Sequence, residues 1–502
     1  MTICHGRISY ILVTPYKKEK TRNISRRRSA LNYTYYIVMP SATTPQLNGN
    51  HAAKENGVKE LAVKKPLGDI LHIIDSRTRQ HYTVDIHHNA INASDLKAIK
   101  APKDAEHPEY QNEQGIRVYD PGFSNTLVSE SKITYIDGFE GTIQYRGYSI
   151  HDIIGKKKFA DLSYLLIWGE WPSADEAQRY QERLNNVPLI DESVFNVINA
   201  FPKNGSILGM MVAGLSALQS CDMNAVPAHA AKNLYLGQPQ NVDEQIVRVL
   251  SSLSMITAAA YCSHTGRTFT PPRKDFSYVE NFLLMTGHVE ESTGIPNPRY
   301  VDVIERLWTC VADHEMTCST AALLQTASAL PDVISSLISA ISATYGPLHG
   351  GAIEVAYKSI EEIGSVDDVP AKIERVKAGK ERLYGYGHRV YRVTDPRFTY
   401  ISDILNELTD EASKDPLLQV AFALDRAATE DEYFISRKLR PNADLFAAFA
   451  YKALGFPPNF ILPISVVSRT QGFMAHWKEA MEGKPRIWRP GQIYTGNLNR
   501  TE

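Results

Sequence analysis

The sequence predicts a mostly α-helical protein with a small β-rich start. Three observations carry this reading. After Ile150 apolar residues recur at intervals of three and four nearly to the C-terminus, as in Ile353, Ala356, Ile360 and Ile363. Before that point, two stretches read as strands around turns. No repeat of 20–50 residues and no heptad run is present, which disfavours solenoids and coiled coils.

In chain order, residues 1–38 hold eight Lys or Arg against one acid, Glu19, a composition that fits a mitochondrial transit peptide. Met39 opens a second plausible start, so the same residues also read as an upstream extension. Residues 1–65 are expected to form a disordered or targeting segment, with 39–65 polar and rich in turn formers. A β-rich segment is expected over 66–110, where Leu71 to Ile86 reads as a hairpin. A second hairpin spans Ile133 to Tyr148, with Asp137-Gly138 at its first turn. Helical stripes then run through 208–220, 247–263, 416–428 and 445–454. The most apolar long stretch, Ala321 to Tyr345, carries Gln325, Asp332 and several Ser and Thr. It lacks the ~20 clean apolar residues of a membrane span and reads as buried helix.

The 502 residues include 54 Lys plus Arg and 56 Asp plus Glu, a formal net charge of -2. There is no bulk attraction to nucleic acid or to an acidic membrane, so a charged ligand must be gripped locally. The five cysteines are odd in number and form no CxxC pair, which suits a reducing, intracellular setting and argues against thiolate metal ligation.

Chemistry-bearing residues concentrate at breaks between helices in the second half. His314 lies in ADHEMTCST, His349 in YGPLHGG and His388 in YGYGHRVYRVTDPR. His349 precedes a helix expected to start near Ala352, and the positive end of that helix disfavours imidazolium. A neutral imidazole there can donate to a developing enolate. Asp444 falls in the first turn of an apolar helix, with Pro441-Asn442 as its start and cap. The helix dipole should keep that carboxylate charged, as a general base requires. Arg397, Arg469 and Arg489 sit at segment edges, where guanidinium forks can grip carboxylates if the fold converges them. His314-Glu315 does not extend to HExxH, because position 318 is Cys; no P-loop or complete GxGxxG is present either. Neither a metal nor a bound cofactor is expected.

The series ADHE, YGPLHGGA, GYGHRVYRVTDPR, RPNADLF, SRTQGFMAHW and RPGQIYTG resembles the citrate synthase family, in order and at family-like intervals. The resemblance extends from about residue 66 to residue 497 and looks most like the bacterial-type branch. It implies condensation of an acyl-CoA with oxaloacetate by a homodimer. Asp444 would remove the α-proton of the thioester, His349 would hydrogen-bond the enol oxygen, and His388 would polarise the oxaloacetate carbonyl. His314, Arg397 and Arg469 would hold oxaloacetate, with Arg489 arriving from a second subunit. Lys380 and Arg382 lie where the family's CoA loop usually sits. The implied fold is a large helical domain, 111–350 and 460–502, with a small helical domain, 351–459, that closes over the substrate.

The chain departs from the family pattern at three places. Thr317-Cys318 replaces a frequent Asn, Ser206-Ile207-Leu208 replaces a His-Pro-Met, and Leu445-Phe446-Ala447-Ala448 follows the Asp where a Ser-Gly pair is common. None removes a catalytic group. They bear on the acyl substrate, so methylcitrate or longer alkylcitrate synthesis is the alternative to citrate synthesis, and a silent homologue acting as a binding protein is the remote one. The expected compartment is the mitochondrial matrix if residues 1–38 are a transit peptide, otherwise the cytoplasm.

Overall fold

The computed structural model describes residues 69–100, 115–484, 486–497 and 499–501. The expectations for residues 1–65 therefore lie outside the described residues. The chain divides into two compact units, residues 1–129 and residues 130–502.

In the first unit the expected hairpin is present. Strands β1 (Ile70–Asp75) and β2 (Gln80–His87) pair antiparallel with Ile70 opposite Asp85 and Asp75 opposite Gln80, and the short β3 (Ala90–Ile91) extends the sheet. The Asp75 carboxylate closes the turn by accepting from the Arg77 backbone and guanidinium. Alternation puts Val84 inward, against Leu96 and Ile99.

The second unit opens with the other expected hairpin, β4 (Thr134–Asp137) and β5 (Thr142–Tyr145), followed by β6 (Tyr148–Ser149). Asp137 shapes the turn, its carboxylate accepting the N–H groups of Phe139 and Glu140 at 2.8 and 2.9 Å. The rest is helical. The helices that matter here are α1 (Phe159–Trp168), α2 (Ile207–Ser220), α3 (Pro239–Thr265), α4 (Pro298–Val311), α5 (Cys318–Ala327), α6 (Val333–Thr344), α7 (Ala352–Ile363), α8 (Val369–Lys377), α9 (Pro396–Glu407), α10 (Leu417–Glu430), α11 (Asp444–Ala453) and α12 (Ile461–Glu482).

Two long helices, α3 and α12, run through the centre and pack on each other, with α1, α2, α4 and α5 around them. Helix α3 is long and apolar enough to cross a membrane, but 89% of its most apolar window is buried inside the protein, as in a core helix. A second group packs α7 and α9 on α11 and α8 on α10. The apolar stripes read from the sequence are the buried faces of these helices, for instance Ile353, Ala356, Ile360 and Ile363 on α7.

The stretch 321–345 differs from expectation. It forms two helices, α5 and α6, interrupted at 328–332. Pro331 cannot continue a helical ladder, and Asp332 starts a new one by accepting the Ser335 N–H at 2.9 Å.

Candidate active site

The helix boundaries predicted to carry chemistry converge in the second unit. His349 stands just before α7, with its carbonyl accepting the Ala352 N–H at 2.9 Å. Its Nε2 meets the Ser319 hydroxyl at 2.7 Å and accepts the Ser319 N–H at 3.4 Å. A backbone N–H can only donate, so Nε2 is the acceptor and the proton of the neutral ring resides on Nδ1. Burial, with the nearby Arg469 charge, pulls the His349 pKa down to about 4. Neutrality is as expected, but desolvation is its main cause rather than the helix end.

His388 has the opposite tautomer. Its Nδ1 accepts the N–H groups of Val390 and Tyr391 at 3.0 and 3.3 Å, leaving the proton on Nε2. Burial and then the Arg397 charge pull its pKa to about 4. The loop is held from two sides. On one, Gly387 N–H donates to the Arg440 carbonyl at 2.8 Å and Asn442 N–H to the Gly385 carbonyl at 2.9 Å. On the other, the Arg392 N–H donates to the Gly138 carbonyl at 2.7 Å, so the β4–β5 hairpin lies directly against it. A Cβ on Gly138 would come within 2.3 Å of the Val390 carbonyl oxygen, which is why only glycine fits.

His314 is buried, and its Nε2 is 2.9 Å from the Tyr391 hydroxyl. Its ring lies edge-on to His388, centroids 5.4 Å apart. Burial, then the Arg397 and Arg469 charges, hold its pKa well below the usual imidazole value. The His314 loop rests on α12. Gly472 N–H donates to the Ala312 carbonyl at 3.1 Å, and a Cβ on Gly472 would meet Asp313 Oδ1 at 2.3 Å.

Arg397 is buried and paired bidentately with Asp395, Nε to Oδ1 at 2.9 Å and Nη2 to Oδ2 at 2.6 Å. Burial opposes both charges, but the pair outweighs it, raising the Arg397 pKa and lowering that of Asp395. The second Asp395 oxygen also accepts the Ala443 N–H at 3.3 Å, next to Asp444. Arg469, expected at a segment edge, lies inside α12, where it donates its Nε to the Val311 carbonyl at 2.5 Å.

Asp444 is the first residue of α11, one position earlier in the helix than expected. Ala443 occupies the cap position, and the Asn442 side chain accepts the Asp444 N–H at 2.9 Å while its amide donates to the Gly387 carbonyl at 2.9 Å. The expected dominance of the helix dipole does not hold. Burial pushes the Asp444 pKa up to about 6, against the pull of Arg397 and Arg469. The carboxyl is ionised at neutral pH yet far more basic than an ordinary one.

Six predicted residues, His314, His349, His388, Arg397, Asp444 and Arg469, are thus linked by contact or by mutual electrostatic influence. Arg489 is not among them. It is exposed, in an extended segment held to α5 through Gln325 Nε2 to the Trp488 carbonyl at 2.5 Å and Trp488 N–H to Ser328 Oγ at 3.1 Å. Lys380 and Arg382 are exposed, with Arg382 over the Tyr384 ring at 5.5 Å. Their neighbours Arg375 and Lys377 are engaged by Glu381, Glu374 and Asp431. Among the described residues no group of three or more His, Cys, Asp or Glu could hold a metal ion.

Sequence reasoning assigned no role to Ser319, Tyr391 or Asp395, and treated Asn442 only as a cap. Asp395 was legible two residues before Arg397 as the start of a DPR turn. Ser319 gave no signal, since its link to His349 spans thirty residues. Of the family departures, Thr317 caps α5 by accepting the Thr320 N–H at 3.1 Å and so orients Ser319. Ser206 caps α2, and Leu445 to Ala448 are buried in α11 packing.

With fold and site in view, comparison with known proteins is direct. The family description "Citrate synthase, C-terminal domain" matches residues 122–491. A citrate synthase-like protein of Aspergillus oryzae is 70% identical over 87% of this chain and 98% of its own length. An alkylcitrate synthase of a fungal species is 37% identical over 85% of this chain and 93% of its own. The solved citrate synthase of Thermoplasma acidophilum, in a ternary complex with carboxymethyl coenzyme A and oxaloacetate, is 28% identical with a TM-score of 0.67, covering 75% of this chain and 96% of that one. The fold and these matches define a condensing transferase of helical architecture. The chain belongs to the citrate synthase family.

Proposed function

We propose that the protein condenses an acyl-CoA with oxaloacetate and water, releasing CoA, with acetyl-CoA as acyl donor and citrate as product. The observation that carries this reading is the set of two neutral imidazoles of opposite tautomer with a basic, half-buried carboxyl and two guanidinium groups.

An α-thioester proton is a very weak acid, so its removal needs a base, an enol-stabilising donor and exclusion of water. Asp444 takes the proton, and His349 donates from Nδ1 to the thioester oxygen as it gains charge. The enol carbon then attacks the ketone carbon of oxaloacetate. His388 donates from Nε2 to the ketone oxygen, which becomes the alkoxide. Water cleaves the resulting citryl thioester and liberates the thiol.

His314, Arg397 and Arg469 hold the carboxylates of oxaloacetate, and Arg489 completes the site of a second copy in a homodimer. Lys380 and Arg382 meet the CoA phosphates. Residues 351–459 form the small domain that closes over the substrates. Light scattering that gave a fully active monomer of about 56 kDa would overturn the dimer. The mitochondrial reading rests on residues 1–38, which lie outside the described residues.

A second reading is methylcitrate or longer-chain alkylcitrate synthesis. It is favoured by the alkylcitrate synthase among the relatives and by the departure from the family pattern at Leu445 to Ala448, which follow Asp444 in sequence. One or two methylenes change binding by only ~1–3 kcal/mol, so assay decides. Thiol release from acetyl-, propionyl-, hexanoyl- and longer acyl-CoAs, with and without oxaloacetate, tests both. Fastest oxaloacetate-dependent release from acetyl-CoA supports the first reading, and preference for a longer chain supports the second. No release from any donor overturns both.

A further inference from the structure

Tyr391 joins two of the site's histidines through three different parts of itself. Its hydroxyl lies 2.9 Å from His314 Nε2. Its main-chain N–H donates to His388 Nδ1 at 3.3 Å, and its ring lies tilted over the His388 ring with centroids 4.6 Å apart. It is also edge-on to His314 at 5.6 Å. The side chain is almost fully buried, at 2% exposure, so these contacts are not a passing arrangement of a surface group.

We propose that Tyr391 is a positioning residue of this site, aiming His314 through its hydroxyl and His388 through its ring and main chain before oxaloacetate arrives. The inference rests on the condensation reading above and adds to it a residue that no motif singled out.

The physical need is clear at His314. A buried, neutral imidazole has two ring nitrogens that require partners, and an unpaired one costs desolvation without return. Burial, and then the Arg397 and Arg469 charges, prevent His314 from solving the problem by protonation. A phenol suits such a place because burial keeps it protonated, with its pKa pushed well above the usual range. The hydroxyl therefore supplies one neutral hydrogen bond within reach of the Arg397 and Arg469 charges without adding charge to the site. At His388, the backbone bond fixes the tautomer and the ring blocks rotation. A leucine or phenylalanine would fill the volume but leave His314 Nε2 without its partner.

Tyr391→Phe separates the two roles, since it keeps ring and backbone and deletes only the hydroxyl. The expected result is a rise of about five- to tenfold in KM for oxaloacetate, and in its Kd by calorimetry without acyl-CoA, with a smaller fall in kcat. Tyr391→Leu, which also removes the ring from His388, should lower kcat by at least about tenfold more.

A double-mutant cycle with His314→Gln shows whether the hydroxyl acts through His314. On that background Tyr391→Phe should add little to KM. Unchanged oxaloacetate KM and Kd in Tyr391→Phe overturns the proposal, and so does an undiminished effect in the His314→Gln background. Failure of the wild-type protein to bind oxaloacetate would instead overturn the condensation reading itself. The melting temperature of each variant, within about 3 °C of wild type, shows that the fold is intact.

Discussion

Ser319 and His349, thirty residues apart, meet with hydroxyl oxygen and Nε2 at 2.7 Å. The backbone N–H of the same serine, donating to Nε2 at 3.4 Å, makes that nitrogen the acceptor and leaves the proton on Nδ1, and Ser319 stands at the start of α5, where Thr317 forms the cap. Removing the hydroxyl in Ser319→Ala leaves only the longer bond from the backbone N–H. Turnover should fall by about five- to twentyfold with little change in oxaloacetate KM, as steady-state thiol release would show.

The pH profile should have its acid limb at the carboxyl and not at the imidazoles. As the proposed base Asp444 would work unprotonated, and burial lifts its pKa to about 6, while His349 and His388 are pulled down to about 4 and stay neutral above it. Hence log(kcat/KM) should fall with unit slope below pH 6, about tenfold down at pH 5. A limb centred near 4 would show that burial does not raise Asp444.

Asp444→Asn should remove at least about 10³-fold of turnover yet leave the fold intact. The folded-state pKa lies above the ordinary 3.8, so this carboxyl's contribution to stability is greatest below that value and is lost as pH rises through 6. The neutral amide escapes that loss. Thermal melting at pH 8 should therefore give a variant at least as stable as the parent.

Arg397→Lys should weaken both stability and oxaloacetate binding. A lysine cannot reproduce the two-pronged pairing with Asp395, and that carboxylate also takes the Ala443 N–H. A loss of about 2–4 kcal/mol is expected in chemical denaturation, together with a raised KM.

Gly138→Ala should impair catalysis from a position remote in sequence from every catalytic group. The new methyl would press on the Val390 carbonyl at 2.3 Å and shift the loop that carries His388. The measurable outcome is a lower kcat, about tenfold, with a KM for acyl-CoA that changes less.

Much of this was legible in the sequence. The two hairpins and the helical stripes follow from periodicity and turn chemistry, and α7 and α11 begin where Gly and Asn-containing breaks place them. Five of the six candidate residues lie at such breaks, whereas Arg469 sits inside α12. Other features were out of reach because they depend on distant chain segments. The Asp444 pKa reflects how much of α11's first turn is covered, not its position on a helix. Ser319 and Tyr391 look like ordinary helix-start and loop residues until the partner histidines are folded onto them. The interruption of 321–345 was written in Pro331-Asp332, but the apolar run around it masked the break.

The Asn442 side chain, donating to the Gly387 carbonyl and accepting from the Asp444 N–H, is a brace between two working parts. Because of it, the base and the imidazole assigned to the ketone travel together in any motion of the segment that bears them. Under the condensation proposed above, the group that would take the α-proton and the group that would polarise the ketone therefore keep a fixed spacing.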